Sequence, residues 1–246
     1  MNSNRRIATV AGTFFVITFI ASIPAVVLYN PVLKDSNYIL GAGADARISF
    51  GALLEIILVI ANIGTAVTLF PILKRQNESV ALGYVASRIL ESTVIVVGIV
   101  SVLSVVTLRK DFAATAGTDH ATLVTAGKSL VAIHDATFLL GPAFCAGVGN
   151  GMLLGYLMYR SGLVPRGMAL LGVIGGPLAV VTAIAVLFGA YKQTSGWSLL
   201  LTLPEIAWEA SLGIYLIVKG FKPSPITAGD VPPAPRVPLP AGLATT

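Results

Sequence analysis

The sequence predicts an all-α integral membrane protein, a bundle of six transmembrane helices followed by a disordered Pro-rich C-terminal tail. Hydrophobic side chains make up 55% of the 246 residues and charged side chains 11%, whereas soluble domains carry about 25% charged residues. The apolar residues form six segments, each close to the roughly 20 residues that a helix needs to cross a bilayer. Residues 223–246 are rich in proline and show no hydrophobic pattern, which is typical of a disordered segment.

The predicted spans follow one another with short polar connections. They cover residues 7–28, 48–70, 80–108, 130–159, 168–190 and 198–218. The first is too long for the apolar core of a signal peptide, which has about 7–15 residues, so we expect it to remain in the protein. Residues 112–128 are the longest predicted break, and Asp119 is placed to cap the helix that follows. We therefore predict a transmembrane domain over residues 1–222 and a cytoplasmic tail over 223–246.

The distribution of basic residues predicts the orientation, because cytoplasmic loops of membrane proteins carry an excess of Lys and Arg. Six spans put both termini on one side. That side collects Arg5, Arg6, Lys74, Arg75, Arg160, Arg166, Lys219 and Lys222, and the other collects Lys34, Arg47, Arg109, Lys110, Lys128 and Lys192. The bias favours cytoplasmic termini in a bacterial plasma membrane. The basic residues form no stripe with interleaved aromatics, so the lipid bilayer is the expected partner and nucleic acid is excluded.

Several ionisable side chains fall inside the predicted spans or at their ends. They are Glu55, Arg88, Glu91, His134, Asp135, Glu205 and Glu209. A charged side chain near the centre of a bilayer costs about 2.5–3.5 kcal/mol on insertion scales, so these residues are expected to face the interior of the bundle. We predict one polar cavity lined by Glu55, His134, Asp135 and Glu205, with Glu209 deeper and with Arg88 and Glu91 near the floor.

The chemistry of these residues leaves alternatives open. Arg88 and Glu91 are three residues apart on one helix face, where they can form an ion pair that fixes packing or belong to a transport pathway. Glu205 and Glu209 would repel each other, so at least one is expected to be protonated or to pair with Arg88. His134 with Glu55 or Glu205 offers ligand types that suit zinc or iron. No HExxH or paired-His spacing supports such a site, and we predict no metal and no cofactor.

Glycines predict close packing of the fourth and fifth spans. The run Gly147-Val-Gly149-Asn-Gly151 lacks the preceding strand that a dinucleotide-binding motif requires. Small residues four apart instead let a second helix approach closely. The glycines with this spacing are Gly147, Gly151 and Gly155 on the fourth span and Gly172 and Gly176 on the fifth. Asn150 could then form a hydrogen bond across this contact.

Three stretches together resemble a known bacterial family. They are Arg88-Ile-Leu-Glu91, the turn from Gly155 to Arg166 with Leu171-Gly172 after it, and Pro204-Glu-Ile-Ala-Trp-Glu209 leading to the segment 215–221. The family is the one catalogued as domain of unknown function 4386, and the resemblance extends over roughly residues 5–222. It implies a multi-pass inner-membrane protein, and it implies no reaction or catalytic residue.

Three classes of function remain open. The first is a membrane-embedded binding, sensory or accessory protein with an internal polar cavity, whose partner would be an unknown small ligand or protein. The second is a small proton-coupled transporter or channel-like protein, with Glu55, Glu91, Glu205 and Glu209 in its pathway. The third is an intramembrane metal- or cofactor-dependent enzyme that uses His134 and Asp135. The lack of a catalytic motif favours the first class, whereas the number of buried acids favours the second.

Overall fold

The computed structural model describes residues 3–41, 43–113 and 119–230, and within these ranges the chain is helical, without strands. The α-helices are α1 (Ser3–Leu28), α2 (Asn30–Lys34), α3 (Asp45–Leu73), α4 (Glu78–Ala113), α5 (His120–Phe138), α6 (Gly155–Ser161), α7 (Arg166–Leu187) and α8 (Gly196–Val218). Two stretches of π-helix, Leu139–Cys145 and Gly147–Leu154, join α5 to α6 in one rod. Short 3₁₀-helices cover Tyr38–Leu40 and Pro225–Asp230.

Within the described residues, six helical rods are long and apolar enough to cross a membrane, which confirms the predicted fold class. They are α1, α3, α4, the rod from α5 to α6, α7 and α8. The N-terminal end of α1 lies beside the C-terminal end of α8. Arg5 of α1 donates hydrogen bonds to the carbonyl oxygens of Ile217 at 2.6 Å and Val218 at 3.2 Å in α8. We call this end of the bundle the terminal end and the opposite end the far end.

The six rods form a ring. Around it, α1 packs against α3, α3 against α4, and α4 against the rod of α5. That rod packs against α7 through its π-helical stretches and α6, α7 packs against α8, and α8 packs against α1. The contact between α1 and α8 is close, since a Cβ atom added at Gly12 would lie 2.6 Å from the carbonyl oxygen of Gly213. Chain order thus sets the order of neighbours, as short connections between antiparallel helices require.

Two apolar cores fill the interior of this ring, and they differ in which helices contribute to them. The core at the terminal end draws on all six rods and includes Phe15, Leu69, Tyr84, Leu157, Ala169 and Leu212. The core at the far end is built from α1 to α4, with Tyr29, Ile48, Ile99 and Val102 among its members and residues of α5 packed against it. Its described members include no residue of α7 or α8. Space therefore remains in the far half of the bundle between these two helices and the rest.

The fourth span differs in two ways from the prediction. Its helix begins at His120, so residues 120–128 are helical rather than part of a polar break. Asp119 does cap this helix, accepting hydrogen bonds from the backbone N–H groups of Ala121 at 3.1 Å and Thr122 at 3.3 Å, and Leu123 of its first turns packs against the far core. Further along, the helix widens to π-helix around Pro142, which lacks a backbone donor and cannot complete a regular α-helical ladder.

Residues 223–230, which the sequence assigns to the tail, lie against the terminal end of the bundle. The hydroxyl of Ser224 donates to the carbonyl oxygen of Ser161 at 2.5 Å, and Ile226 packs against the terminal core. The later prolines of the predicted tail, from Pro232 to Pro240, lie outside the described residues.

Candidate functional site

A cavity of about 290 Å³ occupies the space left between the two cores, from the middle of the bundle towards the far end. Of the seven ionisable residues singled out in the sequence, six line it: Glu55, Arg88, Glu91, His134, Glu205 and Glu209. They come from four different rods, α3, α4, α5 and α8, so the fold gathers residues that are up to 154 positions apart in the chain.

The floor of the cavity is a hydrogen-bonded triangle between α3 and α4. The guanidinium of Arg88 lies 2.7 Å from the carboxylate of Glu91 and donates to the side-chain oxygen of Asn62 at 2.5 Å. The amide of Asn62 in turn donates to Glu91 at 3.2 Å. All three residues are at least 96% buried. Sequence reasoning predicted the ion pair but gave no role to Asn62, whose only signal was a polar residue within an apolar span.

A second polar contact joins α8 to the π-helical stretch. The side-chain amide of Asn150 donates to Glu209 at 2.5 Å, and the indole N–H of Trp208 donates to the carbonyl oxygen of Asn150 at 2.9 Å. Asn150 therefore bonds to α8, rather than across the contact with α7 that the glycine spacing suggested. Because the π-helix rotates the residues that follow it, the face predicted from regular helical spacing is displaced.

Glu205 differs from the other acids of the cavity because it has no hydrogen-bond partner in the part of the chain that the structure describes. It lines the cavity and is 4% exposed, and both of its carboxyl oxygens lack a partner among the described residues. A polar group buried in this way normally has a hydrogen bond, so its absence requires an explanation such as a bound molecule. The sequence predicted that at least one of Glu205 and Glu209 is protonated or pairs with Arg88. The hydrogen bonds of Arg88 go to Glu91 and Asn62 instead, and protonation of one of the two acids stays a prediction.

Glu55 and His134 form the wall of the cavity nearest the far end. The hydroxyl of Tyr29, at the end of α1, donates to Glu55 at 3.0 Å. The same tyrosine ring lies edge-on to the imidazole of His134, with ring centroids 5.7 Å apart. Tyr29 was not identified from the sequence, where it is one aromatic residue among several at the ends of spans.

Asp135 does not belong to this cavity, contrary to the sequence prediction. Its side chain is 68% exposed and lines a second cavity, of about 210 Å³, together with Lys34, Lys128 and Tyr38. Consecutive residues on a helix point about 100° apart, so the residue after the inward-facing His134 necessarily faces another direction. The His134 and Asp135 side chains approach to 3.6 Å, which is too long for a hydrogen bond.

The predicted glycines lie where neighbouring helices approach each other most closely. A Cβ atom added at Gly151 would lie 2.2 Å from Cα of Gly176, and one at Gly155 would lie 2.9 Å from the backbone nitrogen of Val173. Gly147 faces Gly176 in the same way, whereas Gly172 faces the indole of Trp208 in α8. These contacts bring the π-helical stretch and α8 close to α7, with Glu205 at the cavity.

This arrangement favours binding of cations or protons within an apolar enclosure. Four carboxyl groups line the cavity with one guanidinium, and that guanidinium is already paired. The remaining walls are mainly apolar, with Phe19, Ile23, Leu58, Ile95 and Phe138 among them. In the described part of the chain, no three His, Cys, Asp or Glu residues are grouped so that they could hold a metal ion.

Comparison with known proteins identifies a family. A family model described as "Domain of unknown function (DUF4386)" matches residues 10–220, which is most of the chain. No curated protein and no solved structure matches.

Proposed function

Because the chain belongs to the DUF4386 family, whose description assigns no role, we propose from the site alone that it is a membrane-embedded binding protein. Its intramembrane cavity would hold one small ligand. The observation that carries the proposal is the buried carboxyl of Glu205, which lines a cavity of about 290 Å³ without a hydrogen-bond partner among the described residues. The volume is near the lower end of the range for small-molecule sites, about 300–1,000 Å³.

The closed terminal half of the bundle supports binding rather than passage. Below the cavity, the terminal core is filled by residues that have no exposed surface, including Leu69, Tyr84, Leu157 and Trp208. Such tight packing closes the bundle beneath the floor of the cavity, so that a ligand which reaches the cavity has no exit towards the terminal end.

We place the protein in the bacterial plasma membrane with its terminal end in the cytoplasm. Eight basic residues lie in or beside the connections at the terminal end, from Arg5 to Lys222, against six at the far end, from Lys34 to Lys192. This bias supports cytoplasmic termini. In that orientation the cavity lies in the outer half of the membrane.

A proton-coupled transporter is a second candidate, favoured by the arrangement of the acids. Glu205 and Glu209 are one helical turn apart on α8, and Glu91 lies near the middle of the bundle, so carboxyl groups follow one another inward from the far half. Transport would require the terminal core to open. We expect proton or amine flux into liposomes to fall in Glu205→Gln if this candidate is correct, and to be absent from the wild type if the protein only binds.

The binding proposal is tested by filling the cavity. Thr202 lines it, whereas the next residue, Leu203, is 47% exposed on the surface of the bundle. We expect octylamine, octanol or octanoate to bind the wild type in a one-to-one complex by native mass spectrometry, and Thr202→Phe to weaken that binding at least tenfold. Leu203→Phe is the matched control and should bind as the wild type does. If none of the three probes binds, or if both variants bind equally, the proposal is wrong.

A further inference from the structure

We infer that the ligand of this cavity is a primary amine on an apolar chain and that it enters sideways from the lipid, between α5 and α8. This inference rests on the proposed binding function and names the class of its ligand.

The sideways opening follows from residues that face both the cavity and the surface of the bundle. Phe138 on α5, Ile206 on α8 and Ile23 on α1 all line the cavity. They are also 38%, 39% and 62% exposed, respectively. Residues of α5 pack against the far core, which has no described member in α8. Within the described ranges α5 packs closely against α4, whereas neither α7 nor α8 packs closely against α5 itself, so α5 and α8 flank a gap. At this depth the surroundings are lipid chains, and an apolar molecule can reach the gap without crossing water.

The apolar walls favour a ligand with a hydrocarbon chain. Between the opening and the acids, the cavity is bordered by Phe19, Leu58 and Ile95 in addition to the residues at the gap. A hydrocarbon chain has similar apolar surroundings in the cavity and in the bilayer. The walls therefore contribute little to the choice between ligands that carry such a chain. Selectivity must then come from the polar end of the ligand.

The polar residues of the cavity favour a cationic donor. Glu205 is 96% buried, and both carboxyl oxygens lack partners within the described ranges. An ammonium group carries three donors, no acceptor and one positive charge, and it can satisfy a carboxylate that has no other partner. Arg88 does not provide this contact, because its two Nη atoms donate to Glu91 and Asn62.

The number of acids in the cavity disfavours an anionic ligand. The lining contains Glu55, Glu91, Glu205 and Glu209 against one arginine, so an anionic head group would enter a site with an excess of acids. A like charge in a desolvated site is repelled, and the cost is greater than in water. A neutral alcohol can donate one hydrogen bond but neutralises no charge, and it therefore serves as the closest control.

Two sources supply this chemistry in a membrane, a free long-chain amine and the head group of phosphatidylethanolamine. Their shared feature is a primary ammonium group attached to an apolar molecule. We distinguish them by working in nanodiscs of phosphatidylcholine and phosphatidylglycerol, which contain no primary amine, and by adding phosphatidylethanolamine as a competitor. Displacement of octylamine by the lipid identifies the head group, and its failure to compete identifies the free amine.

The first comparison, of octylamine, octanol and octanoate, uses the wild-type protein in these nanodiscs and therefore does not depend on the folding of a variant. We expect octylamine to bind at least tenfold more tightly than either of the others, and Glu205→Gln to reduce this preference at least tenfold. Ile206→Trp, at the opening, should slow octylamine association. Equal binding of octanol and octylamine, or an unchanged preference in Glu205→Gln, overturns the amine inference. Binding that remains sensitive to Thr202→Phe would then leave the proposed binding function standing.

Discussion

Arg88 and Asn62 join two neighbouring spans through a hydrogen bond of 2.5 Å, in which the guanidinium donates to the side-chain oxygen of the amide. The same guanidinium pairs with Glu91 within its own helix at 2.7 Å. All three residues of the triangle are buried. Their hydrogen bonds fix the rotation of α3 and α4 relative to each other, which places Glu91 at the floor of the cavity. The Nε atom of the same guanidinium has no hydrogen-bond partner among the described residues.

Replacing Arg88 with methionine is expected to lower the free energy of unfolding by about 3–5 kcal/mol, because Glu91 would remain buried without its partner. Equilibrium unfolding in mixed detergent micelles measures the change. The double variant Arg88→Met/Glu91→Met should be more stable than the single variant, because it leaves no unpaired charge. Arg6→Met, at an exposed position on α1, is the control. A double variant less stable than Arg88→Met would contradict this explanation.

The spans and the inward direction of most charges were predictable, because both follow from the cost of polar groups in lipid. That cost does not depend on which neighbour satisfies each group. It therefore led to Glu55, Arg88, Glu91, Glu205 and Glu209 without any knowledge of their partners.

The partners themselves depend on how each helix is rotated against its neighbours, which hydropathy does not specify. Asn62, Tyr29 and the bond from Asn150 to Glu209 fall in this class. The π-helical stretch adds a second difficulty, since it changes the face on which every later residue lies. Asp135 was assigned to the cavity because the prediction used its depth in the span and not its direction.

Replacing Gly151 with alanine is expected to lower the free energy of unfolding by about 1–3 kcal/mol. The added Cβ would lie 2.2 Å from Cα of Gly176, and backbone atoms cannot move aside without separating the helices. Gly167→Ala is the matched control, because a Cβ there meets none of the described atoms within 4 Å. Thermal unfolding of the two variants in the same detergent provides the comparison. If both variants unfold at the wild-type temperature, the close approach at Gly151 is incorrect.

Tyr38 at the far end is expected to lose its proton at lower pH when Asp45 is replaced with asparagine. Its hydroxyl donates to Asp45 at 2.8 Å, and Arg109 also pairs with that carboxylate. Burial raises the pKa of Tyr38 above its usual value, the hydrogen bond and charge of Asp45 raise it further, and Arg109 opposes them. In Asp45→Asn the raising effect of the charge is lost while the guanidinium remains.

Ultraviolet absorbance of tyrosinate measures this change, as the difference between Asp45→Asn and Asp45→Asn/Tyr38→Phe. The wild type and Tyr38→Phe give the reference. The folded state holds this proton more tightly than the unfolded state does. Below about pH 10 Tyr38 is protonated in both states, so its titration should not change the free energy of unfolding with pH. Above that pH the unfolded state loses the proton first, and the free energy of unfolding should fall. An unchanged titration of Tyr38 in Asp45→Asn would show that the carboxylate does not influence it.

Cysteine labelling is expected to place the far end outside the cell and the terminal end inside. Cys145 is the sole cysteine of the chain, so Cys145→Ser provides a background without thiols. In that background Thr194→Cys, exposed at the far end, should react in whole cells with a maleimide that cannot cross membranes. Ser79→Cys, exposed at the terminal end, should react only after the cells are opened. The reverse pattern would put the cavity in the cytoplasmic half of the membrane, and octylamine would then have to reach it from the inner leaflet.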